Sequence, residues 1–169
     1  MKELKSIDHK LLIELMKNAK RSDRELARVL GSSQPTITRR RARLEKDFID
    51  GYTVLPKWRN IGFRIVAFTF VKTNIEYIEP EKRKESLSKV KKWFAEQPNV
   101  IVAIQGKGMG WDGIIVSVHT DYLDFAEWSR KHNSECSEFL VETQSFISDL
   151  NPATFVKPLS FKFLETKIE

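Results

Sequence analysis

The chain has 169 residues, of which 41% are hydrophobic and 31% charged, a composition typical of a soluble globular protein with one or two domains. Its longest apolar run, residues 65–71, is far shorter than the ~20 residues that span a bilayer, and no signal-peptide pattern precedes it, so we expect a cytoplasmic protein with no membrane partner. Cys136 is the only cysteine, which excludes an internal disulfide and a cysteine-based zinc site.

Positive charge is concentrated in the first third of the chain. The net charge is +6, yet residues 1–62 hold 15 Lys and Arg against 8 Asp and Glu, whereas the remainder holds 14 against 15. This asymmetry favours a basic module that binds a polyanion, joined to a neutral module with another role. From charge alone, a solvated basic surface is the alternative.

Two helices are predicted at the N-terminus. Apolar residues recur at helical spacing over residues 6–20, which indicates an amphipathic helix. A second helix is expected over residues 22–31, because Ser22 and Glu25 have the spacing of a capping box. Gly31 suits the left-handed residue that ends such a helix.

A third helix follows after a short turn, so the pattern predicts a helix-turn-helix. It is expected over residues 33–48, with Ser33 as its N-cap and Pro35 in its first turn, where the missing N–H costs little. Apolar and polar residues then alternate around Gly51 in residues 49–56, which predicts a short hairpin or wing.

The third helix is the predicted recognition helix. With Ile37, Leu44 and Phe48 turned to the core, the opposite face carries Arg39 and Lys46, which suits entry into the major groove. Arg39 is the best residue for reading a guanine edge, and the other basic side chains are expected on phosphates. The alternative is a solvated helix face. The predicted DNA-binding residues are Arg28, Ser33, Gln34, Thr36, Thr38, Arg39, Arg40, Arg43 and Lys46.

The second half of the chain alternates predicted strands and helices in the order β-α-β-β-α-β, the split βαβ or ferredoxin-like plan. In the second of these helices, Tyr122, Phe125 and Trp128 are expected to face inward. A further strand is expected in the tail, where Leu159, Phe161 and Phe163 alternate. The predicted strands are 64–72, 100–105, 113–120 and 139–150, and the predicted helices are 80–97 and 121–132.

The segment "GMGWDG", residues 108–113, has the spacing G-x-G-x-x-G of a dinucleotide-binding fingerprint. That fingerprint must open a helix, whereas β-branched residues follow it here, so we expect a loop between antiparallel strands and no cofactor. Such a loop could still hold a small amine-bearing effector, through Gly108, Gly110, Trp111 and Asp112. A plain hairpin, with Asp112 bonded to local backbone N–H groups, is the interpretation we favour.

Residues 7–62 resemble the N-terminal domain of the Lrp/AsnC (feast/famine) transcriptional regulators. "GWDGIIVSV", followed by an Asp-led helix, is similar to the ferredoxin-like regulatory domain of the same family. The residues that carry the N-terminal resemblance are Asp8, Glu25, Leu26, Ala27, Ser33, Thr36, Ile37, Arg40, Leu44, Glu45, Phe48, Ile49, Gly51 and Tyr52.

The resemblance implies an α+β protein with a winged helix-turn-helix domain (1–54), a linker (55–63) and a ferredoxin-like domain (64–169). It also implies that the ferredoxin-like domain dimerises and binds amino acids or other small molecules near the loop between its second and third strands. Double-stranded DNA, further copies of the chain in a homodimer or a higher oligomer, and a small-molecule effector are therefore the expected partners. Two positions depart from the family pattern: Met109 replaces a loop glycine, and Arg41 replaces an apolar residue, so Arg41 needs an acidic partner or an apolar surface for its stem.

Two other functions stay open. Some proteins of similar build act on tetrapyrroles, notably the sirohaem decarboxylases. Against an enzyme, His9, His119 and His132 lie far apart in sequence without metal-ligand spacing; we expect His9 and His132 on helix surfaces and His119 in a structural position. We expect no catalytic residues and no metal. The other alternative is a ligand-sensing module whose helix-turn-helix no longer binds DNA.

Overall fold

The structure is a computed structural model that describes residues 4–160. These residues separate into two compact units: residues 4–55 with 158–160 form the N-terminal unit, and Pro56–Lys157 form the second. In this part of the chain no helix is both long and apolar enough to cross a bilayer. The helices and strands are α1 (Ser6–Lys17), α2 (Asp23–Leu30), α3 (Gln34–Asp47), β1 (Ile65–Thr73), α4 (Pro80–Ala95), β2 (Val100–Gly108), β3 (Trp111–His119), α5 (Tyr122–Glu135) and β4 (Leu140–Asp149), with short 3-10 helices at Trp58–Ile61, Ile75–Tyr77 and Pro152–Thr154.

The N-terminal unit is built by α1, α2 and α3 around one apolar core, as the helical spacing predicts. The capping box of α2 is confirmed: the Ser22 N–H donates to the Glu25 carboxylate at 2.8 Å, and the Glu25 N–H donates to the Ser22 hydroxyl at 3.3 Å. Gly31 ends α2 in the left-handed region with φ 61°. The buried core residues are Leu11, Leu15, Leu26, Ala27, Ile37 and Leu44.

Two local predictions in this unit are corrected. The short hairpin predicted for residues 49–56 is not formed, because none of these residues lies in a strand. Tyr52 instead donates its hydroxyl proton to Glu45 at 2.9 Å, which holds the segment against α3. Ser33 is the N-cap of α3, but its side chain makes no capping bond to the backbone. Its hydroxyl pairs with that of Thr36 at 2.8 Å.

The second unit is an antiparallel sheet of order β2-β3-β1-β4, which confirms the ferredoxin-like plan. One face of the sheet packs on the helices, where Ala67 and Ile115 form a core with Phe125 and Trp128. Tyr122 was expected inward but is 65% exposed, because it is the first residue of α5, directly after the cap Asp121. The strand predicted at 159–163 falls mostly outside the described residues.

The other face of the sheet carries an apolar row across all four strands. In the register, Val102 lies opposite Val116, Val116 opposite Phe68, and Phe68 opposite Phe146. Phe68 alternates along β1 with the buried Ala67 and Thr69, so it points away from the helices. Phe146 is 63% exposed and Val102 is 40% exposed. This row of Val102, Val116, Phe68 and Phe146, called the open-face row below, leaves large apolar side chains in contact with solvent.

Candidate nucleic-acid interface

The exposed face of α3 agrees with the helical projection made from sequence. Ile37 and Leu44 are fully buried in the core of the unit, whereas Arg39 and Lys46 on the opposite side are exposed. Neither of these two basic residues has a hydrogen-bond or ion-pair partner among residues 4–160. Their charges are therefore fully available to an external anion. The exposed residues of this face are Gln34, Pro35, Thr38, Arg39, Ala42 and Lys46.

Arg40 and Arg43, in contrast, are held by a buried carboxylate. Arg40 Nη1 donates to Asp8 Oδ1 at 2.7 Å, and Arg43 Nη1 donates to Asp8 Oδ2 at 3.4 Å. The Asp8 side chain is 1% exposed, whereas those of Arg40 and Arg43 are 25% and 39% exposed. Asp8 also accepts the Lys5 N–H at 3.3 Å. This carboxylate therefore ties the start of α1 to the middle of α3.

The role of Asp8 as this partner was missed from the sequence, although a signal was present. Asp8 precedes Leu11 and Leu15 by three and seven residues, so it lies on the apolar face of α1. A carboxylate in that position must be paired, because burying an unpaired charge is very costly. The run of arginines in α3 contained the partners.

Arg41 has the acidic partner that its half-buried position requires. Its guanidinium donates to Asp23 at 3.1 Å and to Glu45 at 3.0 Å, and also to the backbone carbonyls of Arg21 and Ala19. Desolvation lowers the pKa of Arg41, but the hydrogen bonds to Asp23 and Glu45 outweigh it and the pKa is raised. Arg41 therefore joins α3 to the α1–α2 connection and stays charged.

The hydroxyls of α3 are engaged within the protein. The Thr38 hydroxyl lies 2.7 Å from the Asp23 carboxylate and 3.1 Å from the Gln34 carbonyl oxygen, so its proton is already shared. Arg28 is exposed on α2, where its charge helps to lower the pKa of Glu25, after the larger effect of the hydrogen bonds from Ser22. The predicted DNA-binding residues thus divide into free side chains and side chains with internal partners.

The "GMGWDG" segment is a tight hairpin between β2 and β3, as predicted, and opens no helix. Met109 and Gly110 form its two-residue turn, with φ 51° and 82°, the positive values of a type I′ turn. Asp112 accepts the Thr73 N–H at 2.8 Å and pairs with Lys107 at 3.2 Å. The bond from Thr73, followed by Lys107, lowers the pKa of Asp112. Asp112 thus bonds a backbone N–H of the distant β1 rather than a local one.

The aromatic and glycine residues of the same hairpin occupy ordinary positions. Trp111 lies beside Phe70, with ring centroids 6.0 Å apart. Gly108 ends β2 and pairs with Trp111 across the turn. Gly110 provides the second positive φ of the turn, a backbone conformation that glycine adopts without strain.

The histidines of the second unit, His119 and His132, are buried, and both lie next to Trp128. His132 stacks on Trp128 at 5.5 Å, and His119 lies 5.5 Å from the same ring. The prediction of a surface position is wrong for His132, which is 2% exposed because α5 turns it toward α4. Desolvation lowers the pKa of both imidazoles. Among residues 4–160 no cluster of His, Cys, Asp and Glu could hold a metal ion.

His119 also has the partners of a hydrolytic triad, but it lacks access to a substrate. Its Nε2 lies 2.8 Å from the Ser117 hydroxyl, and its Nδ1 lies 3.6 Å from Asp124. Ser117 and His119 have no exposed surface. This group is therefore placed to satisfy buried polar atoms. His9, predicted on a helix surface, is half-buried in α1.

A helix-turn-helix unit followed by a ferredoxin-like unit defines the class of protein, and comparisons with known proteins identify the family. Residues 4–45 match the AsnC-type helix-turn-helix domain. The chain is 34% identical to the HTH-type transcriptional regulator Ptr1 of Methanocaldococcus jannaschii over 119 residues, which cover 70% of this chain and 74% of that protein. The chain therefore belongs to the Lrp/AsnC family of helix-turn-helix transcriptional regulators.

Solved structures share the whole fold. AsnC of E. coli matches with a TM-score of 0.71 at 18% identity, over 94% of this chain and 99% of that chain. A transcriptional regulator of Neisseria meningitidis, in complex with L-Met, matches with a TM-score of 0.73 at 20% identity, over 86% of this chain and 90% of that one. These similarities confirm the α+β architecture predicted from the sequence.

Proposed function

We propose that this helix-turn-helix regulator binds double-stranded DNA with α3 in the major groove and reads one base pair with Arg39. The supporting observation is the exposed, partner-free position of Arg39 on the α3 face opposite the core. A guanidinium can bond O6 and N7 of guanine together, which discriminates among base pairs. Gln34, beside Arg39, offers a second side chain for base contacts.

Phosphate contacts are assigned to the remaining basic and hydroxyl side chains. Arg28 and Lys46 are exposed, and each can neutralise a phosphate directly. Arg40 and Arg43 share the charge of Asp8, so we assign them to positioning α3 and to weaker phosphate contacts. Ser33, Thr36 and Thr38, whose hydroxyls have internal partners, complete the proposed interface.

We further propose that the chain acts as a homodimer through the open-face row. Large exposed apolar patches on soluble proteins mark interaction sites, and an isologous contact needs one self-complementary surface, which this row provides. Two recognition helices related by a twofold axis would then address half-sites about one helical turn apart. Because a DNA-binding regulator must be in the same compartment as the DNA, we propose a cytoplasmic location.

A small-molecule effector is proposed at the β2–β3 hairpin, near Gly108, Gly110, Trp111 and Asp112. The Neisseria meningitidis relative in complex with L-Met supports an amino acid as one class of ligand. We propose no enzymatic activity: the relatives described above are named transcriptional regulators, and no observation on residues 4–160 favours the tetrapyrrole alternative.

Fluorescence anisotropy tests the DNA-binding proposal. The protein is titrated against its own upstream DNA and a scrambled duplex over a salt series; a preference of about a thousandfold, with a steep salt dependence, is expected. Arg39→Ala should weaken specific binding by about 1–3 kcal/mol and relax the preference at one base position. Lys46→Ala, the matched control, should weaken both duplexes equally.

Two outcomes would contradict the proposal. Equal weakening on both duplexes by Arg39→Ala would remove its role in base reading. Absence of binding even at low salt would favour the ligand-sensing alternative, in which the helix-turn-helix no longer binds DNA.

A further inference from the structure

Thr38 lies on the exposed side of α3, in the same shallow concavity as the proposed base-reading residue Arg39. Unlike Arg39, it has a partner within the protein, because its hydroxyl lies 2.7 Å from a carboxylate oxygen of Asp23, the first residue of α2. What this hydroxyl can offer to DNA therefore depends on the direction of its proton. The residues that line the concavity are Gln34, Pro35, Thr38, Arg39 and Ala42.

The proton of the Thr38 hydroxyl is used inside the protein. A hydroxyl has one proton to donate and two lone pairs that accept. The two protein atoms bonded to Thr38 Oγ1, Asp23 Oδ2 at 2.7 Å and the Gln34 carbonyl oxygen at 3.1 Å, can only accept. The shorter distance is that of a charge-assisted bond from a hydroxyl to a carboxylate. The proton therefore points to Asp23, and the lone pairs remain for a donor outside the protein.

Asp23 is itself held in this position. Arg41 Nη1 donates to its other oxygen, Oδ1, at 3.1 Å. The same guanidinium is fixed by Glu45 and by two backbone carbonyl oxygens, and the Asp23 side chain is only 20% exposed. Because a charged and anchored partner faces this carboxylate, Asp23 stays an acceptor beside Thr38 when DNA approaches.

This arrangement restricts the groups on DNA that Thr38 can bond. Phosphate oxygens only accept hydrogen bonds, as do O6 and N7 of guanine and O4 of thymine in the major groove. The donors in that groove are the amino groups of adenine and cytosine. Threonine in general contacts either class, so the restriction comes from Asp23. It narrows the contact of Thr38 in the interface proposed above from a phosphate to a base.

We propose that Thr38 reads one exocyclic amino group, of adenine or cytosine, in the major groove. Asp23 is the positioning residue that makes the Thr38 hydroxyl an acceptor. On the contacted strand, this position favours adenine or cytosine and disfavours guanine or thymine, whose facing atoms are acceptors. The inference rests on the DNA-binding function proposed above, because it requires α3 to lie in the groove.

Fluorescence anisotropy on a series of substituted duplexes tests the proposal with the full chain. Each base pair of the bound upstream site is replaced in turn by the other three. In wild type, one position near that read by Arg39 should favour adenine or cytosine about three- to tenfold on one strand. Thr38→Val keeps the shape of the side chain but removes the acceptor, so this preference should disappear. Thr38→Ser keeps the hydroxyl and should retain the preference.

Base analogues isolate the amino group itself. Purine in place of adenine, or pyrimidin-2-one in place of cytosine, removes only the exocyclic amino group at the contacted position. Each analogue should weaken wild type about three- to tenfold and leave the affinity of Thr38→Val unchanged.

A variant of Asp23 tests its positioning role. Asp23→Ala removes the stronger acceptor of the Thr38 proton, so the hydroxyl can turn and donate to guanine O6 or thymine O4. The preference for an amino group should therefore shrink at this one position, while the preference at the position read by Arg39 stays. A merely structural role of Asp23 would lower affinity for all duplexes by the same factor and leave both preferences unchanged.

The outcomes separate this inference from the DNA-binding proposal on which it rests. If Thr38→Val weakened every duplex equally, its hydroxyl would contact a phosphate, and this inference alone would be wrong. A Thr38-dependent preference for guanine or thymine, or no Thr38-dependent position at all, would also overturn it alone. Absence of DNA binding by wild type at low salt would remove both proposals.

Discussion

Asp8→Asn should selectively destabilise the N-terminal unit. Removing one partner of a fully buried ion pair costs about 3–5 kcal/mol, but Arg40 and Arg43 keep partial exposure, so water can replace part of the lost contact. Asparagine also keeps one acceptor oxygen. We therefore expect a loss of about 1–3 kcal/mol, the range for a hydrogen bond to a charged group.

The assay uses two probes that separate the two units. All four tryptophans lie between Pro56 and Lys157, so their fluorescence reports on the second unit. Circular dichroism at the helical band also reports on α1, α2 and α3. With a urea m-value of ~1 kcal/mol/M, the expected loss of unfolding free energy lowers the urea midpoint of the N-terminal helices by about 1–3 M. The midpoint of the tryptophan fluorescence transition should not move.

Asp50→Asn is the matched control, because Asp50 is an exposed carboxylate of the same unit. It should leave both transitions within about 0.5 kcal/mol of wild type, as surface substitutions do. If Asp8→Asn behaved like Asp50→Asn, or if both transitions moved by the same amount, the Asp8 pair would not hold α1 to α3 as argued.

Three further outcomes are expected. Burial lowers the pKa of His119 and His132 in the folded protein, so below about pH 6.5 the unfolded chain binds more protons than the folded one. Thermal melts should therefore show the free energy of unfolding falling from pH 7 toward pH 5. His132→Phe should make this pH dependence shallower, and a variant with the same pH dependence as wild type would contradict the reasoning. Phe146→Lys should shift a dimer toward monomer in sedimentation equilibrium by placing a charge on the open-face row; an unchanged mass would remove that face as the interface. Met109→Asn should raise stability by about 0.5–1 kcal/mol in urea unfolding, because Asn tolerates the positive φ of a type I′ turn, and a loss of stability would contradict this account of the turn.

The helices of the N-terminal unit were predictable because their signals are local. The spacing of Leu11, Leu15 and Leu26, the capping box and Gly31 each act within a few residues of chain. The exposed face of α3 followed from the same periodicity, since a helix turns 100° per residue whatever surrounds it. The family resemblance rested on these local motifs as well.

Predictions failed where distant residues decide the outcome. His132 was expected at the surface, because nothing in its own helix shows that Trp93 and Trp128 cover it. The hairpin at 49–56 was expected from alternation, but Tyr52 bonds Glu45 on α3 instead of pairing with another strand. Alternation alone cannot distinguish these two arrangements, because both use extended backbone.

The helix-turn-helix, the α+β order of elements and the basic recognition face were predictable from the amino-acid sequence, because hydrophobic periodicity, caps and charge are local properties. Which arginines of α3 are free was not predictable, because it depends on contacts between helices. Asp8 is 32 residues from Arg40 in the chain, and folding brings their atoms to 2.7 Å. Ion pairing of this kind depends on residues that become neighbours only when the chain folds.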